Sequence, residues 1–122
     1  MATIGHPLSD LCNFTTPFYT ATVVGTNAQA AFLPGATAGL PDAKEIVRWY
    51  TEVSGYDPAA ELAWGMAFNI FRSAAVCQGI AARIAQRQAN SDVAKKYADT
   101  RVPLAEFAWE LTAVARSGRA KL

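Results

Sequence analysis

The sequence predicts an all-α fold, a small helical bundle around one long central helix with a long irregular loop. Between Leu62 and Ala82 the only charged side chain is Arg72, and the run is apolar on every face a helix can present. A surface helix shows one apolar stripe, so this one is expected to be covered on two or more sides. Two other segments, Ile46 to Val53 and Leu104 to Val114, repeat their apolar residues at the i, i+3, i+4, i+7 spacing of an amphipathic helix. No stretch alternates as a strand does, and no internal repeat occurs.

The first element is a short helix from Pro7 to Phe14, with proline in the opening turn, where its missing N–H does no harm. Thr15, Thr16 and Pro17 are expected to stop it. A loop over residues 15–41 follows, punctuated by Gly25, Pro34, Gly35, Gly39 and Pro41. Its aromatics Phe18, Tyr19 and Phe32 suggest a segment pinned down at intervals, and loops of this length usually carry function or are disordered.

Asp42 with Glu45 three residues on reads as a capping box, and Gly55 as the C-terminal stop of a helix of about three turns. Asp57-Pro58 repeats the start signal for the long helix, which is expected to reach about Gln88. On a helical wheel Trp64, Phe68, Phe71, Ala75 and Gly79 share one face, while Leu62, Met66, Ile70, Ser73, Cys77, Ile80 and Ile84 share another. Gly65 and Gly79 would let neighbouring helices approach closely. Ser91 caps a short piece from Val93 to Ala98, and Pro103 either kinks that piece or opens a last helix.

The 122 residues are 52% hydrophobic and 17% charged with a net charge of +1, the composition of one globular domain at most. Without a basic stripe, nucleic acid is not an expected partner, and Arg116, Arg119 and Lys121 read as a solvated tail. A membrane span is not expected, because Arg72 would cost about 2.5–3.5 kcal/mol at mid-bilayer. Cys12 and Cys77 lack metal-ligand spacing and are expected to be reduced core thiols. With no signal peptide visible, the expected compartment is the cytoplasm or an organelle interior, and the Asn13-Phe14-Thr15 acceptor pattern is read as chance.

Catalytic motifs are absent: there is one histidine, no paired cysteines and no glycine-rich phosphate loop. His6, Ser9 and Asp10 lie close in sequence, but triads assemble from distant segments, and these residues read more simply as groups satisfying the first helix terminus. Arg72, if buried, must meet an internal carboxylate such as Asp10, Asp42 or Glu45, or else a phosphate or carboxylate of a substrate. Trp64 and Phe68 stand beside it either as core or as an apolar substrate wall.

Several blocks in order, Gly5-x-Pro7-Leu8-x-Asp10-Leu11, Tyr50-Thr51-Glu52-Val53-Ser54-Gly55, Ala67-Phe68-Asn69-Ile70-Phe71-Arg72-Ser73-Ala74-Ala75 and Gln78-Gly79-Ile80, resemble the C-terminal lobe of aminoglycoside-phosphotransferase-like kinases. The subgroup they are most similar to is related to the kinase domain fused to some acyl-CoA dehydrogenases. The resemblance implies that residues 1–122 form a single partial domain, the helical C-lobe portion of a kinase-like fold. In such kinases the first block follows a strand ending in Asp-Trp-Glu, whose aspartate binds the nucleotide's metal, and Met1 aligns just after it.

Asp10 then matches the aspartate that holds the catalytic loop rigid through hydrogen bonds, while His6 stands where many relatives carry aspartate. Trp64, Phe68 and Arg72 are the candidate substrate-pocket residues. No catalytic, cofactor-binding or metal-binding residue is assigned here, although ATP and Mg²⁺ are implied for an intact member.

The expectation is a C-terminal fragment of an ATP-dependent phosphotransferase acting on a small-molecule hydroxyl, for instance of a hydroxyacyl-CoA, and inactive by itself. Its partner would be a missing N-terminal lobe or another chain over an apolar face, with self-association when alone. The alternative is a free-standing helical module that docks another chain; a small helical enzyme in its own right lacks the titratable residues it would need.

Overall fold

The computed structural model of the chain describes residues 4–26 and 29–118. Among them are five α-helices: α1 (Pro7–Thr20), α2 (Ala43–Ser54), α3 (Leu62–Ala85), α4 (Asp92–Asp99) and α5 (Arg101–Arg116). A single 3₁₀ turn, Ala30–Phe32, lies between α1 and α2, and no strand occurs among the described residues. Met1, Arg119 and Lys121 lie outside them.

His6 Nδ1 accepts the Leu8 amide at 3.3 Å and caps α1, with Pro7 in the first turn. The helix does not stop at Phe14. It runs through Pro17 to Thr20, so the irregular segment starts at residue 21 rather than 15. Pro17 removes one amide donor and crowds the turn before it. There Thr15 and Thr16 donate their hydroxyls to the carbonyls of Leu11 and Cys12, both at 2.7 Å, so the threonines expected to end the helix are accommodated inside it. Beyond Thr20 the chain turns tightly at Gly25, whose φ of +84° favours glycine and whose missing Cβ would stand 2.9 Å from Pro103 Cγ. The edge-on contact of Phe18 with Phe32, centroids 5.1 Å apart, ties the 3₁₀ turn back to α1.

α2 forms as the capping signals predict. Asp42 Oδ1 accepts the Glu45 amide at 2.8 Å, Glu45 Oε2 accepts the Asp42 amide at 3.1 Å, and Gly55 closes the helix at φ +72°. The long helix begins later than Asp57-Pro58 suggests. Asp57 Oδ1 takes the Ala59 amide at 3.0 Å and Pro58 O the Glu61 amide at 2.9 Å, which makes a separate turn, and α3 starts at Leu62. It ends at Ala85 rather than Gln88, where Arg87 takes a positive φ of 58°. Pro103 does not kink α4 but lies in the first turn of a new helix, α5, where backbone amides have no helical acceptor anyway.

α3 is the centre of the bundle, packed chiefly against α5, then α4 and α1, while α2 rests on α1. Leu8, Leu11 and Cys12 of α1, Leu62, Met66, Ile70 and Cys77 of α3, and Leu104, Ala108 and Leu111 of α5 form one buried cluster. Gly65 brings α1 close, because an added Cβ would meet Cys12 Sγ at 2.9 Å and Leu8 Cβ at 3.3 Å. Gly79 has no such role, with only the tip of Arg83 within 4 Å. Asn69 is buried and donates from Nδ2 to Thr16 Oγ1 at 2.6 Å, a polar link between α3 and α1. Both cysteines are free and buried. No helix is long and apolar enough to cross a membrane among the described residues.

Candidate functional site

Residues Leu62, Met66, Ile70 and Cys77 face the core, and the opposite stripe of α3 is bare. Trp64 is 47% exposed, Phe68 62% and Phe71 61%. α3 is covered by α5, α4 and α1, as expected for a helix apolar on several faces, but one stripe of it stays bare. The aromatics are not core. They project from a helix whose inward stripe is already filled, so they stand out as a ridge.

A hollow lies on each side of that ridge. Trp64, Phe68, Phe71, Ala108 and Trp109 line a nearly apolar groove of about 370 Å³ between α3 and α5. The other hollow, also about 370 Å³, lies between the start of α1 and α3 and has polar edges from His6, Ser9, Glu61, Asn69 and Arg72. Trp64 and Phe68 belong to both walls. The three candidate pocket residues therefore line one hollow, because positions 64, 68 and 72 succeed one another at four-residue steps on a single helix face.

Arg72 is exposed rather than buried, and it forms no ion pair among the described residues. It lies at the edge of the bare stripe and pairs with none of Asp10, Asp42 and Glu45. It lines the polar hollow, and a guanidinium carries five N–H donors of the kind that bind a carboxylate or phosphate. The Glu61 Oε2 of that wall accepts the Tyr56 hydroxyl at 2.5 Å, and that bond holds the phenol pKa up at about 12. The His6 ring meets Tyr56 edge-on with centroids 6.1 Å apart. With Nδ1 accepting the Leu8 amide, the histidine is a cap and a wall rather than a base.

Asp10 is exposed in the first turn of α1 and does not line this hollow. His6 and Ser9 do line it, but no hydrogen bond joins them in a relay with Asp10. Among the described residues no group of three histidine, cysteine, aspartate or glutamate side chains could hold a metal ion. Glu61 and Trp109 are wall residues that sequence reasoning missed. The only available signal for Glu61 was its place one turn before Trp64, and for Trp109 its place on the outward side of an amphipathic helix.

The described residues thus form an all-helical bundle with an exposed aromatic ridge that walls two hollows. The chain is similar to acyl-CoA dehydrogenase family member 11 of Mus musculus, 29% identical over 114 residues, and to that of Homo sapiens, 27% identical over 114 residues. It is also similar to acyl-CoA dehydrogenase family member 10 of Mus musculus, 27% identical over 110 residues. These alignments take in 92%, 92% and 90% of this chain, but only 14%, 14% and 10% of the relatives. No protein-family model matches the chain, and no solved structure matches it.

Proposed function

We propose that these residues are the helical C-lobe portion of an ATP-dependent small-molecule phosphotransferase, and that they transfer no phosphate by themselves. The observation that carries this reading is a sequence likeness that runs over nearly the whole chain. Ordered blocks from Gly5 to Ile80 resemble the kinase part fused to some acyl-CoA dehydrogenases, and the curated relatives are acyl-CoA dehydrogenase family members aligned over nearly the whole chain. In the longer protein Trp64 and Phe68 wall the substrate pocket, and Arg72 holds an anionic group of a hydroxyl substrate such as a hydroxyacyl-CoA. Asp10 steadies the catalytic loop from outside the pocket, and the remaining lobe supplies the ATP and Mg²⁺ sites and covers the bare flank.

The test has two parts. Mg²⁺-dependent ATP turnover measured on the 122-residue chain is expected to stay at background, and robust turnover overturns the reading. The coding sequence upstream of Met1 is expected to continue in frame to an Asp-Trp-Glu; a stop codon preceded by its own promoter favours a second reading. That reading is a helical docking module, and the exposed ridge of Trp64, Phe68 and Phe71 is what speaks for it.

A further inference from the structure

Asn69 is only 5% exposed, yet half of its side-chain amide is left over. Its Nδ2 donates to Thr16 Oγ1 at 2.6 Å, while the Thr16 hydroxyl proton is itself engaged by the Cys12 carbonyl at 2.7 Å. Thr16 Oγ1 can therefore only accept, which fixes the amide with its nitrogen toward α1 and its oxygen turned from it. That oxygen, Oδ1, accepts no hydrogen bond among the described residues. Nor is it sealed in, because the one fully buried, unpartnered side-chain nitrogen or oxygen among the described residues is the Tyr19 hydroxyl. A polar atom of a nearly buried residue left in this way calls for a partner from outside.

Two hollows meet at this residue. Asn69 and Arg72 line the hollow beside Trp64 and Phe68, and both also line a second one of about 480 Å³ shared with Asn13, Ser73 and Tyr97. They stand one turn apart on α3, a spacing that sets Cβ atoms about 5–6 Å from each other. Arg72 offers donors to an anion and Asn69 offers one acceptor, and neither is engaged among the described residues. A bare anion answers the arginine alone. A molecule with a hydroxyl within a few bonds of its anionic group answers both, and the Trp64 and Phe68 wall suits an apolar tail on it. We infer that Asn69 is a specificity-determining residue of this pocket, whose Oδ1 accepts the hydroxyl of an apolar-tailed hydroxy acid while Arg72 holds the acid group. The inference rests on the reading of Trp64, Phe68 and Arg72 as substrate-pocket walls. The amide does not ionise, so its part is selection: a ligand lacking the hydroxyl sets hydrocarbon against Oδ1 and leaves it unpaired.

Titration of the isotope-labelled full chain with hexanoate and with β-hydroxyhexanoate, followed on the Trp64 indole and Arg72 side-chain N–H resonances, tests it. The hydroxy acid is expected to bind about tenfold more tightly than the plain acid. Asn69→Ala should bring that ratio to about one, whereas Thr16→Ala, which breaks the same link between α1 and α3, should leave it near tenfold. A ratio of two affinities within one variant is insensitive to a general loosening of the fold. Arg72→Ala should weaken both acids. Equal affinity for the two acids overturns the role of Asn69, and so does a ratio that Asn69→Ala and Thr16→Ala change alike, because that is a structural effect. Binding of neither acid overturns the pocket walls along with it. The phosphotransferase reading is decided separately, by ATP turnover and the upstream coding sequence.

Discussion

Gly65 stands where α1 and α3 come closest, and the missing side chain is what permits it. Replacing glycine by alanine inside a helix normally helps by roughly 1 kcal/mol. Here the new methyl would sit 2.9 Å from Cys12 Sγ and 3.3 Å from Leu8 Cβ, both in the buried cluster, where overpacking costs about 1–3 kcal/mol. Gly65→Ala is therefore expected to be destabilising in urea denaturation. Cys12→Ala in the same chain opens the space, so the two substitutions should couple favourably, by about 1 kcal/mol in a double-mutant cycle. Strict additivity would mean that Cys12 is not the obstacle. Residue identity alone marked Gly65 as a place of close approach, but it marked Gly79 equally. Only the packing shows that one glycine faces a neighbouring helix and the other does not.

Elements with strong local chemistry were readable in advance. The capping box of α2, its αL glycine and the serine cap of α4 depend on contacts within a few residues, and the structure reproduces each. The end of α1 is not legible locally, because proline and two threonines look like a stop, whereas the helix is held by packing of its buried face, Leu8, Leu11, Cys12 and Thr15, which only the tertiary structure shows. The bare flank of α3 was half legible. Periodicity separates the two apolar stripes correctly but does not say which one the rest of the chain will cover. α2 illustrates how local stability follows, for none of its residues is fully buried and it leans on α1 through Ile46, Val47 and Tyr50. Asp42→Ala removes a cap worth about 0.5–2 kcal/mol. The loss should appear as faster amide exchange over residues 43–46 with little change in the α3 core, because weakly anchored elements open on their own. Equal acceleration in α3 would show instead that α2 unfolds only with the whole.

At the scale of the molecule, the stability rests on one buried cluster that includes a thiol. Burial pushes the Cys12 pKa from 9.0 to about 11, and burial first, then the nearby Cys12 and Asp42, pushes Tyr19 from 10.0 to about 12. Both groups bind a proton more tightly folded than unfolded. Their contribution is fully present below pH 9 and is lost as pH rises through the folded values, so the unfolding free energy should decline between about pH 9 and pH 12. Thermal melts across that range check the slope, and Cys12→Ala should flatten its lower part. A melting temperature unchanged from pH 8 to pH 11 would contradict the burial of the thiol. The candidate site was legible only as a stripe of residue types, since the neighbours across the hollows, His6 and Trp109, come from separate segments that no local spacing brings together.

The three tryptophans of this chain all lie on its outside, Trp49 at 46% exposure, Trp64 at 47% and Trp109 at 69%. Their indoles already sense water in the native state, so intrinsic fluorescence will be a poor reporter of unfolding and a good one of contact. An emission shift toward the blue on mixing, without any change in helical dichroism, is the optical signal that something has come to rest on the ridge.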